Sequence, residues 1–519
     1  MKTKNIVICA IAIACSQTAV AQERDLFKEY QAFAKKASKE YTDFRNKANK
    51  NYADFMKKAW EQFTAQPAIP QPKDESVPPI IKEEEKKEEL KNQPKEDPTP
   101  KPRKDTITVY FNPIVVTPKP QPEPKPEPKP LPTTPKDDKQ NKNDIDDTLP
   151  VVVTPTMLSF AFYGEQCSLP SPANLNQQLT DLSNSTLSNE WRKLSDGSFN
   201  GIANKCMQLK QTMNLNDWAY VELLVKTSNT CFNQSANKAN LLAAWLLCQS
   251  GYATRLFRQN NRLEFAFASE HTIYNRTYFL IDNTRFYPFN PIQGNADVCN
   301  IPYPKERPIS LWITEEMNLL YEASSLRTLK SKKYPDLQFN VSVNKNLVDF
   351  YNSYPSSECD GNFMTKWAMY ANVPFNSEGT RQFKSELYSK IQGLSKKEAV
   401  ERILNLVQTS MPYGYDNEIW GGDRAFFADE TLYYPYCDCE DRSILFSRLV
   451  RDLVKLDVVL VYYPGHLATA VAFDENVNGD AIMVNGRAYT VCDPTYIGAH
   501  VGDTMPDMDN SSAKVILLR

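Results

Sequence analysis

Hydrophobic and polar positions recur in different ways along this chain, and each pattern predicts a different kind of structure. In residues 27–63 the segments "FKEYQAFAKKA", "SKEYTDFRNKA" and "NKNYADFMKKA" align every 11 residues. Tyr30, Tyr41, Tyr52 and Phe63 share one phase, Phe33, Phe44 and Phe55 a second, and Ala37, Ala48 and Ala59 a third. Eleven residues complete three helical turns, so the pattern predicts a long helix over 22–65 with a nearly straight aromatic stripe. Such a stripe needs a dry face opposite it: a coiled-coil partner, a second copy, an envelope surface, or the folded part of the same chain.

Residues 66–156 show no period. Twenty of the 36 prolines lie between 66 and 150, including "KPQPEPKPEPKPLP", beside the mixed-charge run "KEEEKKEEL". Proline removes backbone donors and favours extended conformers, so this stretch predicts a stiff, disordered, solvated linker. The segment "TITVYFNPIVV", from Thr106 to Val116, interrupts it with strand-forming residues that a linker does not explain.

From about Met157 the pattern becomes globular, with two helix-then-strand segments centred on residues 235–291 and 439–494. In the second, Leu445, Leu449 and Leu453 form a helical row with Phe446 and Val450 beside it, which places Cys439 at a helix N-terminus. The alternating run "HLATAVAF" predicts a strand with His466, Ala468, Ala470 and Ala472 on one face. Small side chains beside the imidazole predict that the cysteine-bearing helix docks on that face. "AIMV", the turn Asn485-Gly486 and "RAYTVCDPTY" predict a hairpin that ends at Asp493-Pro494.

The first segment overlays the second. A shift of 204 positions sets Ser235 against Cys439, and after a one-residue gap Leu263 falls at the His466 place and Asn290 at the Asp493 place. Serine without an imidazole has no base to activate it, and His271 is the one alternative nearby. The fold class predicted is therefore α+β: a degenerate domain over 157–345, followed by a complete one over 346–519.

Composition places this protein outside the cytosol. Residues 1–21 pair a basic start with the apolar run "NIVICAIAIA" and an Ala-x-Ala pattern at Ala19 and Ala21, which is the form of a secretory signal. The run is too short for a membrane anchor, and a lipid-modified Cys15 remains an alternative. The expected location is periplasmic, cell-envelope or extracellular. Nine cysteines follow the leader, so disulfides are permitted but one thiol stays over. The net charge of −3 argues against a nucleic-acid partner. With three histidines far apart in sequence, and Cys437 and Cys439 the one close cysteine pair, no metal or organic cofactor is indicated, although the acidic residues leave a weak calcium site open.

Cys439, His466 and Asp493 follow one another at intervals of 27 residues, in the order nucleophile, base, orienter. The helix dipole favours a thiolate at Cys439, while Glu440 and Asp441 oppose it, so a partner base is needed. Here the chain resembles the transglutaminase-like superfamily, which shares the papain-like fold. The resemblance rests on "DCEDRSILFSRLVRDL", "YPGHLATAV" and "DPTY", preceded by "LVQTSMPYGYDNEIWGGDRAFFADETLYYP", and covers about residues 395–519. It implies a Cys-bearing helix packed on an antiparallel sheet and acyl transfer through a thioester. In that scheme Cys439 is the nucleophile, His466 the base and then the acid, and Asp493 the orienter. The Cys439 backbone N–H would serve the oxyanion hole, with Gln408 or Trp420 as a further donor. Two functional readings stand: an exported thiol enzyme that cleaves or transfers amide bonds of peptides, proteins or cell-wall peptides, or a non-catalytic peptide-binding or scaffold protein with a relic triad. In either, the N-terminal helix offers self-association or anchoring.

Overall fold

The computed structural model describes residues 64–68, 114–115 and 156–519, apart from 173, 174, 176–178 and 507. The leader, the 11-residue repeat and most of the linker lie outside the described residues. The chain divides into two compact units. Of the first (Met1–Glu61, Lys119–Thr156 and Asn184–Phe199), the described part is helix α1 (Asn184–Leu194) and the turn after it, with Leu187, Trp191 and Leu194 along one helical face. The second unit holds everything that follows.

Its first part runs β1 (Thr64–Pro67), β2 (Ile114–Val115), the hairpin β3 (Met157–Phe162) and β4 (Glu165–Pro170), then α2 (Asn200–Thr212), α3 (Asp217–Cys231) and α4 (Ala236–Gln249). Strands β5 (Thr254–Gln259), β6 (Arg262–Ala268), β7 (Thr272–Ile273), β8 (Phe279–Ile281), β9 (Thr284–Pro288) and β10 (Asn295–Cys299) complete the first module. Then come β11 (Arg327–Lys330), β12 (Gln338–Val341), α5 (Lys345–Ser353), β13 (Ser357–Glu358), α6 (Thr365–Ala371), α7 (Glu378–Ile391), α8 (Lys396–Ser410), α9 (Asp416–Ile419) and α10 (Ala428–Tyr433). Helix α11 (Cys439–Leu449) leads into β14 (Asp457–Tyr463), β15 (His466–Ala472), β16 (Ala481–Val484), β17 (Arg487–Cys492) and β18 (Lys514–Leu517). The fold is mixed α+β. Among the described residues no helix is long and apolar enough to cross a membrane.

Two six-stranded sheets share one strand order: β1-β10-β5-β6-β9-β8 in the first, β2-β18-β14-β15-β17-β16 in the second. Each central hairpin follows a helix buried nearly all round, α4 or α11, as a core helix must be when sheet and neighbouring helices cover it. All pairings are antiparallel except β2 on β18, which is parallel.

One outer strand straddles the junction expected between helix and linker, and the other comes from within the expected linker. Thr64–Pro67 pairs with β10 and Ile114–Val115 with β18. Ile114 and Val115 of the strand-forming island are strand, the rest of the island lying outside the described residues, and the helix expected over 22–65 does not extend through Thr64 and Ala65. Each short strand covers a sheet edge whose amides and carbonyls would otherwise stay open to other chains.

The expected boundary at 345/346 is not where the cores divide. Leu329, Leu337, Phe339 and Val341 of the β11–β12 hairpin belong to the core around α8 and α11. Beyond 346, β13 turns back to pair with β7.

Helix α11 docks on the opposite face of β15 from the one expected. Val471 shares its core with Leu445, Phe446 and Leu449 of α11, whereas Ala468, Ala470 and Ala472 face Val459, Val461, Ile482 and Val491. All seven residues of β15 are buried, so both faces needed a covering layer and small residues did not single out the helix side.

Candidate active site

Asp438 caps α11, and the Asp441 carboxylate reaches back to accept from Asp438 N at 3.1 Å while also taking Phe426 N at 2.7 Å. This acidic first turn satisfies amide groups that would otherwise be orphaned. One turn in, Ser443 Oγ donates to Leu467 O at 2.9 Å and fastens the helix to the start of β15. The Cys439 thiol lies against the Leu467 N–H, one residue from His466.

On the sheet, His466 Nε2 and Asp493 Oδ2 are 2.8 Å apart, both buried. Asp493 Oδ1 accepts from Thr495 N at 2.9 Å and Tyr496 N at 3.2 Å, so the carboxylate is held by two backbone amides besides the imidazole. The Tyr463 ring stacks on His466 with centroids 6.2 Å apart, and its hydroxyl is fixed by Asn510 at 2.6 Å.

The Cys439 Sγ donates to Glu440 Oε2 at 3.0 Å. All nine cysteines after the leader are free thiols, so Cys439 is not bridged to Cys437 or Cys492. Burial first, then the charges of Glu440 and Asp438, push the Cys439 thiol well above its ordinary range. The opposing effect expected of the acidic pair is present, with Asp438 and Glu440 as its main sources.

These acids belong to a larger group that the sequence alone did not assemble. Carboxylate oxygens of Asp416, Asp423 and Glu440 lie within 4.8 Å of one another, and Lys366 Nζ meets Asp423 Oδ2 at 2.6 Å in a fully buried ion pair. One lysine cannot balance so many carboxylates in a dry site, so protons must. Asp416 is pushed up to about 8 by burial and then by Glu440, and Glu440 is raised by burial and then by Asp423. Asp416, Asp423 and Lys366 are separated by up to 57 residues and gave no periodic signal.

The two oxyanion candidates fare differently from expectation. Gln408 is buried, and its Nε2 donates to the carbonyls of Asp493 at 3.0 Å, Tyr496 at 2.8 Å and Ala499 at 3.2 Å. Its N–H groups are consumed in holding the Asp493 loop, which makes it a positioning residue rather than an oxyanion donor. Trp420 is 36% exposed, under the Arg424 guanidinium at 4.4 Å and edge-on to Phe426 and Tyr434.

Contacts also realign the first module by one residue. Asn240 Nδ2 donates to Leu263 O at 2.8 Å, as Ser443 Oγ does to Leu467 O, and Asn237 Oδ1 takes the Leu263 N–H at 2.9 Å. Leu263 thus matches Leu467, which puts Arg262 at the His466 place and Ala236 at the Cys439 place. Ser235 is the N-cap of α4 and corresponds to Asp438. Asn290 stays opposite Asp493, because both sheets keep the same ladder register there. The overlay gave the first module one extra residue between helix and strand; the contacts instead give the second module one extra residue there and the first module a compensating one between β6 and Asn290. Glu264 fills this counterpart site, bound by Arg262 at 2.6 Å, Asn290 at 2.8 Å and Asn240 at 3.0 Å. His271 lies beyond the far end of β6 and contacts Cys359, so it is no base for Ser235.

Replacing Gln408 with leucine leaves three buried carbonyls without their shared donor and is expected to cost about 2–3 kcal/mol in denaturant unfolding. The pH dependence of stability follows from the buried acids. Asp416 titrates at about 8, and burial pushes Glu222, Asp429 and Glu430 each up to about 7. The unfolded chain releases those protons near pH 4, so their contribution is complete below that pH and is lost as pH rises through 7 to 8. Asp217 works the other way: burial raises it, but Lys210 and Arg307 outweigh burial and lower it, so its contribution is lost in acid. Thermal melts at constant ionic strength are expected to show a higher midpoint at pH 5 than at pH 8. No protein-family model matches the chain, and neither the curated proteins nor the solved structures compared with it give a match.

Proposed function

We propose that this protein is an exported thiol enzyme of the transglutaminase-like kind, acting on amide bonds of peptides or proteins through Cys439, His466 and Asp493. The observation that carries the reading is the 2.8 Å His466–Asp493 bond, with the Cys439 thiol at the helix N-terminus lying against the N–H of the next residue, Leu467. With Nε2 committed to Asp493, the thiol proton passes to Nδ1. The thiolate adds to the amide carbon, the C–N bond breaks, and His466 returns the proton to the leaving amine. Water or an acceptor amine then attacks the thioester, with His466 as base and Cys439 as leaving group.

Cys439 Sγ donates to Glu440 Oε2, and that hydrogen bond is given up as the thiol proton passes to His466. Protonation of Glu440 and Asp438, which their raised values favour, would lift the charge that otherwise opposes the thiolate. The second reading, a peptide-binding or scaffold protein with a relic triad, draws on the same contact: a buried thiol held protonated among carboxyl groups is poorly nucleophilic.

Alkylation with iodoacetamide at pH 6, followed by peptide mapping, separates the two. The enzyme reading expects Cys439 to label at least about tenfold faster than the buried Cys437 and Cys492, with that advantage lost in His466→Ala. Equal rates at the three cysteines, unchanged by His466→Ala, favour the scaffold.

A further inference from the structure

The β7–β13 pairing sets Ser357 opposite Ile273 and Glu358 opposite Thr272, so the next pair in register is Cys359 and His271. Their side chains meet, with Cys359 Sγ 3.3 Å from His271 Nδ1. Met369 of α6 brings its Sδ to 3.8 Å from the same sulfur. Thiol, imidazole and thioether thus converge from three separate segments, and none of these three side chains belongs to the site at Cys439, although α6 also carries Lys366.

The arrangement is held from several sides. Cys359 N donates to Thr365 Oγ1 at 2.8 Å, and Thr365 Oγ1 donates to Asn362 O at 2.6 Å, which ties the turn to the start of α6. Asp360 and Gly361 at the turn adopt φ of +54° and +72°. The Trp312 ring lies edge-on to the imidazole with centroids 5.6 Å apart. His271 and Met369 are buried, whereas Cys359 alone of the free cysteines is not. The site has a rigid floor and an open sulfur.

We propose that Cys359, His271 and Met369 bind a monovalent copper ion. A thiolate and a thioether are soft donors that favour Cu(I), while Mg²⁺ and Ca²⁺ need oxygen ligands and Zn²⁺ sites use thiolate, imidazole or carboxylate rather than thioether. Bonds of about 2.0–2.3 Å, as nitrogen and sulfur make to zinc, put trigonal donors roughly 3.5–4 Å apart. The observed 3.3 and 3.8 Å differ from that range by a few tenths of an ångström at most. Binding forms one Cu–N and two Cu–S bonds and releases the Cys359 thiol proton to solvent. No electron is transferred, because the ion enters as Cu(I).

The test titrates the reduced full chain with Cu(I) under anaerobic conditions, in competition with the chromophoric chelator bicinchoninate. One tight site is expected. Cys359→Ser should weaken it about a hundredfold, and His271→Gln and Met369→Leu each about tenfold, while Cys439→Ser leaves it unchanged. Thermal melts check that each variant folds, and Met369→Leu conserves volume so that its effect reads the sulfur rather than the packing. Unchanged affinity in Cys359→Ser or in Met369→Leu overturns the proposal. Loss of the site in Cys439→Ser, or tighter binding of Zn²⁺ than of Cu(I) in a parallel titration, overturns it as well.

Discussion

The bond between His466 and Asp493 exists because β15 and β17 keep one register, Thr469 opposite Cys492 and Val471 opposite Thr490. A slip of one residue would turn every side chain of β15 to the other face and separate the pair. Two features outside the ladder protect that register. Gln408 clamps the chain just past β17 through three carbonyls, and Ser443 of α11 holds Leu467 at the start of β15. The helix that carries Cys439 is therefore positioned by the same backbone that positions the imidazole.

Charge sets the resting state of this site. The first turn of α11 supplies Asp438, Glu440 and Asp441, and tertiary contacts add Asp416 and Asp423, with Lys366 paired to Asp423. Burial of so many carboxyl groups is tolerable only with protons on most of them, and Asp416, Asp438, Glu440 and Asp441 are all raised, burial first. The thiol at its centre is kept protonated for the same reason. Helix dipole and acidic neighbours act in opposition at Cys439, and in this geometry the neighbours prevail.

The alternating runs at 466–473 and 481–492, the Asn485-Gly486 turn and the helix after Cys439 were legible in sequence because each is a local pattern. The two helix-then-strand segments read from the sequence lead into sheets with one strand order. Three things were not legible. The face on which α11 docks depends on what covers both sides of β15, and Ala468, Ala470 and Ala472 are equally at home against Val459 and Ile482. The positions of the two compensating one-residue differences between modules show only through the matching contacts at Leu263 and Leu467 and the ladder register after them. Pairings such as Lys366 with Asp423, and the clamp made by Gln408, join distant residues and have no period to betray them.

Turnover should leave an acyl group on Cys439 if sulfur, imidazole and carboxylate act in succession. The direct measurement is the intact mass of the protein quenched in acid while it turns over a peptide amide, followed by fragmentation to locate any adduct. The account predicts an acyl adduct on Cys439 that hydroxylamine removes and that is absent in His466→Ala. An adduct confined to other residues, or none on Cys439 while the peptide is consumed, would contradict it.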